Sequence, residues 1–322
     1  MAALTLSEAQ KLDQNDLQAG VIESLVTRSM VLERLPFAGF TGDNFEFNRE
    51  NKRPASAWAD PDEVLGTDGA TFTNVTVAMR YLYQQVDVPT PLRLGLSSLV
   101  DQVAVQMNEA SLAMRDDFLD AFWYGDNSTN SKHPDGLHYL IDNITVPTGA
   151  SRPRVNEGAS SAAGTLNLTS VDNMLYSLMK RGVDLMAMHS TIFRLFQAAS
   201  RTTSVSGTVN FVPNDMGAYI PTYAGIPLSI DDSIRITETV STAAYGVATG
   251  GSATTIFFLK FGEDFLHGLQ QTSGPTVEGP FPLPDKDTWR MRLKWYVVPA
   301  VLRSLYSAGK IDGIDDATAI AA

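Results

Sequence analysis

Cysteine is missing from all 322 residues, which excludes disulfide staples and thiolate-held zinc or iron–sulfur centres. Long apolar runs are missing too: no stretch of about 18 consecutive apolar residues is available to cross a bilayer as a helix. The opening "MAALTLSEAQKLDQND" has neither a basic start nor a long apolar core, so it does not read as a secretory leader. Basic residues are scarce, with 24 Lys and Arg against 36 Asp and Glu and a formal net charge of -12. Nucleic-acid affinity comes mostly from neutralised phosphates, so this balance argues against broad gripping of DNA or RNA. It is compatible with a protein that shares a compartment with nucleic acid and holds it loosely.

Catalytic and metal-binding signatures are equally absent. The four histidines form no H-E-x-x-H or H-x-H, and His133 and His138, on either side of a turn, read as ordinary loop polarity. There is no G-x-S-x-G, no G-x-G-x-x-G and no phosphate loop, since "SAGKI" lacks the upstream glycine. The carboxylates Asp116-Asp117 and Asp231-Asp232 are sequence neighbours, a spacing that splays side chains apart. "DGIDD" is too short for a calcium loop. The expectation is no catalytic residue, no metal and no cofactor.

What is present is architecture. At 44% hydrophobic and 19% charged, the composition is that of a globular chain, long enough to bury roughly 75% of its unfolded surface. Residues 16–35 read as a short helix or a broken pair, with Asp16 as N-cap, Leu17, Val21 and Leu25 on one face, and Pro36 ending it. Phe45 and Phe47 alternate with polar neighbours at strand period. So do Val75, Val77, Met79, Tyr81 and Tyr83; after Gln84-Gln85 the apolar set moves to Val86 and Val88, which predicts a bulge or strand end there. Between the two strands lies a charged stretch with Pro54, Pro61, Gly66 and Gly69, giving a two-stranded arm with a loosely structured tip. An isolated hairpin is marginal in water, so such an arm needs a surface to lie on.

Leu96, Val100, Val103, Met107, Ala110, Met114, Phe118 and Phe122 recur at helical steps from Gly95 to Tyr124, where Gly125 stops the run. A helix of that span is about 45 Å long. From Thr169 a compact α/β region follows: a helix capped by Thr169 or Ser170, a strand "VDLMAM", a helix from Ser190 to Ala199, and strands in "YAGIPLSI" and "TTIFFLKFG". The closing "DTWRMRLKWYVV" alternates, with Trp289, Met291, Leu293, Trp295 and Val297 opposite Arg290, Arg292 and Lys294. Those cations read as partners for carboxylates on neighbouring strands, with phosphate contact as the alternative.

This order of parts resembles the major capsid proteins of tailed bacteriophages, with the Hong Kong 97-type fold. The resemblance rests on "LTLSEAQKLDQNDLQAGVIESLVTRSMVLERLPF", "FEFNRE", "FLDAFWYGD" followed by "PDGLHYLI", "AGIPLSIDD", "FFLKFGED", "GLQQ" and "WRMRLKWYVV". It implies an α+β fold with an N-arm (1–38), an E-loop (39–88), a P-domain with a spine helix (89–149), an A-domain (150–280) and a return to the P-domain (281–322). It implies a subunit that assembles with itself into hexamers and pentamers of an icosahedral head in the virion, built in the host cytoplasm and not at a membrane. The sequence begins directly at the N-arm, so scaffolding, if needed, would be a separate chain or a segment removed beforehand; portal and decoration proteins would be further partners, and packaged DNA would be held weakly and without sequence specificity. Arm residues Leu17, Val21, Leu25, Phe45, Phe47, Arg49, Lys52, Arg53 and Trp58 would contact neighbouring subunits. Some members cross-link an E-loop lysine to an asparagine of a neighbour. Here Lys52 is the one E-loop lysine and no asparagine follows Asn214, so no such bond is expected, and Arg49, Lys52 and Arg53 would form ion pairs across subunits. The nearest alternative is an encapsulin-like compartment enclosing enzymes; a soluble α/β enzyme or binding module would leave the arms without a use.

Overall fold

The computed structural model describes residues 30–52, 54–62, 64, 66–91, 102–144, 146, 151–158, 163–178, 182–200, 209–213, 219–239, 251–271, 275–318 and 320. The expected helix over 16–35 falls mostly outside them; its described end is a short helix α1 (Met30–Arg34) that buries Val31 and stops before Pro36.

A five-stranded sheet holds β1 (Phe37–Phe40), β11 (Leu266–Gln271), β13 (Thr288–Leu302) and β12 (Thr276–Pro282) in that order, with β4 (Arg80–Pro89) on the other edge of β13. A seven-stranded sheet runs β5 (Arg154–Asn156), β14 (Ala308–Asp315), β10 (Ala253–Leu259), β6 (Leu185–Met188), β9 (Ile226–Ile230), β8 (Tyr219–Tyr223), β7 (Val209–Pro213). A separate antiparallel pair, β2 (Asn44–Lys52) with β3 (Thr71–Ala78), forms the arm. The chain leaves the seven-stranded sheet after Leu259, runs through β11, β12 and β13 in the five-stranded one, and returns as β14. Sheet membership thus changes near Lys260 and again near Ser304.

The long helix α2 is described over Gln102–Tyr124, 23 residues or about 34 Å. Its predicted start at Gly95 lies outside the described residues. Ala110, Met114, Phe118 and Phe122 are buried as the stripe required, joined by Leu119 and Trp123. Phe118 stacks on Trp295 of β13 at 4.9 Å, and Trp123 meets Phe257 of β10 at 4.7 Å. The C-terminal half of the helix therefore ties the two sheets into one core. It ends at Gly125, and the reason is close approach rather than a left-handed backbone. A Cβ there would sit 2.3 Å from the Pro134 carbonyl oxygen, where Gly136 N–H also donates to Gly125 O at 2.8 Å. Helix α3 (Leu137–Asn143) follows directly.

All seven residues of β10 are buried, as expected of a strand covered on both faces. Phe257 points to the α2 side, while Ile256 and Phe258 point to a second core under α4 (Leu168–Leu178). The cap of α4 is Asn167, whose Oδ1 accepts from Thr169 N–H at 2.9 Å, two residues before Thr169, the earlier of the two expected caps. Helix α5 spans Ser190–Ser200, and β8 turns into β9 through Ala224 and Gly225, both at positive φ, the geometry that suits a two-residue hairpin.

The change of phase predicted at Gln84-Gln85 lies five residues earlier. Val75 and Val77 of β3 face inward at odd positions, whereas Leu82, Val86 and Val88 of β4 face inward at even ones. Met79 is the break: its N–H donates to Asp43 O at 2.8 Å, and beyond it the strand pairs with β13 without a slip, from Arg80↔Val297 to Pro89↔Thr288. Tyr81 and Tyr83 are aromatic but stand on the outer face, which is why the alternation misled.

Candidate assembly interface

The arm is built from the base outward. At its base the register Phe45↔Val77 and Phe47↔Val75 gives the hairpin one apolar face. That face lies on β11 and β13 of the same chain: Phe47 is buried against Leu269, Val298 and Val301, with Phe45 and Phe40 packed alongside at 5.4 Å between rings. Arg303 sits over both phenylalanines at 5.9 Å, and Arg49 Nη2 donates to the Leu302 carbonyl. His267, beneath Phe45 at 6.4 Å, is pushed below the usual imidazole range by burial and then by Arg303. A cleft of about 160 Å³ remains behind the base, lined by Phe47, Arg49, Arg80, Asp135 and Val301.

These contacts lie within one chain. Phe45, Phe47 and Arg49 anchor the arm to its own body, because the apolar side of a two-stranded ribbon must be covered before the ribbon is stable. Lys52 also has a partner at home, Asp68 at 2.7 Å across the loop, and this hydrogen bond with that from Ala55 N–H holds the Asp68 carboxyl down at about 2. Leu17, Val21, Leu25 and Arg53 lie outside the described residues.

Beyond Lys52 burial falls away. Every described residue from Pro54 to Ala70 is exposed, Trp58 completely so, and Val64 and Phe72 project into solvent nearby. Among the described residues of the expected set, Trp58 is the most exposed.

Two of the three cations in the basic row of β13, Arg290 and Lys294, are paired with carboxylates on neighbouring strands. Arg290 binds Asp87 of β4 through two hydrogen bonds of 2.7 Å, which hold the Asp87 carboxyl below its usual range, and Lys294 pairs with Glu278 of β12. On the same outer face stands a row that sequence reasoning missed: Tyr81 and Tyr83 of β4 and Tyr296 of β13, all exposed, with ring centroids 5.3 and 4.6 Å apart.

Inside the molecule the polar groups serve one another. His138 is not loop polarity: it is buried on α3, and Lys310 Nζ on β14 lies 3.1 Å from its ring. Lys310 Nζ also meets Asp142 at 2.7 Å and Asp312 at 3.3 Å, and Arg154 of β5 reaches the same two carboxylates at 3.1 and 2.8 Å. Two cations against two carboxylates leave no net charge in the core, the condition under which buried ions are tolerated. Burial and the neighbouring Lys310 push His138 far below its usual range, so it is neutral and can accept from the ammonium. Glu238 is buried at the end of α2, accepting 2.6 Å hydrogen bonds from Tyr124 O–H and Thr255 O–H, and burial raises its carboxyl to about 7. No group of three or more His, Asp and Glu side chains arranged to hold a metal occurs among the described residues. None of the described helices is long and apolar enough to cross a membrane.

No protein-family model and no curated protein matches the chain. Solved structures do. A chain of the holo-SrpI encapsulin complex from Synechococcus elongatus PCC 7942 superposes with a TM-score of 0.65 at 14% identity, covering 91% of this chain and 89% of that one. The capsid of a native GTA particle gives 0.60 at 13%, covering 88% and 89%. A chain from Mycobacterium phage Adephagia gives 0.57 at 16%, covering 98% and 99%. With TM-scores of 0.57 to 0.65 over most of its length, the chain has the Hong Kong 97-type capsid fold.

Proposed function

We propose that this chain is the major capsid protein of a tailed phage, self-assembling as hexamers and pentamers into the icosahedral head that encloses the DNA genome. The observation that carries the reading is the arm: its base is fixed to its own sheet, while its tip, with Trp58, is exposed among the described residues. A lone subunit gains nothing from such an arm; a subunit among copies of itself does. On this reading residues 1–38 are the N-arm, 39–88 the E-loop, 89–149 and 281–322 the P-domain and 150–280 the A-domain. Leu17, Val21 and Leu25 join Trp58 in contacts between subunits. The role is structural rather than catalytic, since the buried titratable groups are spent on each other. A net charge of -12 suits a wall that confines DNA without gripping it. Scaffolding, portal and decoration proteins would act as separate chains in the host cytoplasm, and the product would be the virion shell.

The encapsulin-like reading is supported by the superposition on the SrpI chain and differs in contents alone. The test is direct. Purified chain run on size-exclusion chromatography and imaged by electron microscopy should give closed megadalton particles; elution as a small oligomer refutes both shell readings. Nuclease-protected DNA inside particles from phage-infected cells supports the capsid, and protein cargo on the inner wall supports the compartment.

A further inference from the structure

The cleft behind the arm base carries a charge imbalance. Its charged lining is Arg49, Arg80 and Asp135, two cations against one carboxylate. Among the described residues neither arginine has an ion-pair partner. Arg80 Nη2 donates to Asn127 Oδ1 at 2.7 Å, and Asp135 Oδ1 accepts from Asn127 N–H at 3.1 Å, so both bind the same asparagine rather than each other. Arg49 has less. Its Nη2 donates to the Leu302 carbonyl, while its Nε–H is enclosed with no acceptor. Burial pushes the Arg49 guanidinium below its ordinary range, as it does for a cation stripped of water without a counter-charge. An enclosed donor on such a group is costly to leave unpaired and calls for a ligand or an ion. The rest of the wall is largely apolar, with Val75 and Val77 from β3 and Val298 and Val301 from β13. The volume is about 160 Å³, close to that of a cavity known to hold benzene, about six non-hydrogen atoms.

We propose that this cleft binds a small monocarboxylate, its charged end accepting from Arg49 Nε–H and its short alkyl end lying against the valines. One negative charge brings the lining to neutrality, the condition under which ions are held away from water. A charge-assisted hydrogen bond from a guanidinium to a carboxylate is among the stronger ones available, and the alkyl end removes apolar wall from water. Inorganic phosphate is the rival ligand. It brings more charge than the lining neutralises and has no apolar part to set against the valines. The bound carboxylate touches the arm, β13 and the turn between α2 and α3 together, and so fastens the arm base to the body. The site is independent of whether the chain forms a shell and of what that shell encloses.

Isothermal titration of the full chain near neutral pH with butyrate, 1-butanol and inorganic phosphate is the test. Butyrate should bind saturably at one site per chain. It should bind at least tenfold more tightly than 1-butanol, which has the tail without the charge, and than phosphate, which has the charge without the tail. Arg49→Met should weaken butyrate at least tenfold. That change also removes the hydrogen bond to Leu302, so a second variant keeps the arginine: Ala78→Leu puts a larger side chain into the cleft and should weaken butyrate as much, with the far-UV circular dichroism unchanged. Saturating butyrate should also slow amide exchange in β2 and β3 and leave β10 as it was. Absence of saturable butyrate binding, equal affinity for 1-butanol, or undiminished binding in either folded variant overturns the inference. Tighter binding of phosphate than of butyrate overturns it too and assigns the cleft to an inorganic oxyanion.

Discussion

Strand β10 and the arm tip are both continuous stretches of the same chain, yet all seven residues of the first are buried and every described residue of the second is exposed. Between them stands the arm base, where Phe47 is buried but Lys52 and Asp68 face solvent. Burial therefore falls in steps outward along the arm, and so does the share of free energy that a lone subunit can recover. The centre is stabilised by its own chain. The tip is not, and on the proposed reading it gains that cover only on assembly.

Breaking the centre should cost most. Lys310→Met leaves Asp142 and Asp312 facing Arg154 alone, and loss of one partner from a buried ion cluster costs about 3–5 kcal/mol. Chemical unfolding of dissociated subunits should show that loss in full, and an unchanged midpoint would mean the cluster is not what pins α3 to β14. One step outward, Phe47→Asp should release the arm base at a local cost of about 3–5 kcal/mol while β10 keeps its protection from hydrogen exchange. Uniform loss of protection in both would erase the contrast between regions. Particle formation should fail in this variant, since an undocked arm cannot be presented in one direction.

Glu238 sharpens the comparison through pH. Its folded carboxyl titrates at about 7 against an ordinary 4.5, so the native state holds the proton more tightly than the unfolded chain. That stability is fully present below pH 4.5 and is lost as pH rises through 7, a swing of about 3 kcal/mol. His138, displaced downward, contributes the opposite slope: stability present above the ordinary imidazole range and lost as pH falls through it. In Glu238→Gln the first slope vanishes, so the variant should gain on the wild type steadily between pH 4.5 and 8. Parallel unfolding curves for the two proteins across that range would show that Glu238 does not titrate there.

The alternations of β2, β3 and β13, the stripe of α2 from Ala110 to Phe122, and the missing thiols and catalytic motifs were all legible in the sequence, because each is encoded within a few neighbouring residues. So was the pairing of two of the β13 cations, since a strand that presents charge on one face meets neighbours on that face. Three things were decided only by the tertiary structure. Tyr81 and Tyr83 look inward by composition and face outward in the sheet, because β4 pairs with a strand more than 200 residues later and takes its phase from that partner. Phe45 and Phe47 turn to their own body because β11 and β13 bring up the apolar surface that covers them. His138 and Asp142 find Lys310 across 172 and 168 residues of sequence, a distance over which no local pattern carries information, and only folding puts opposite charges in one dry place.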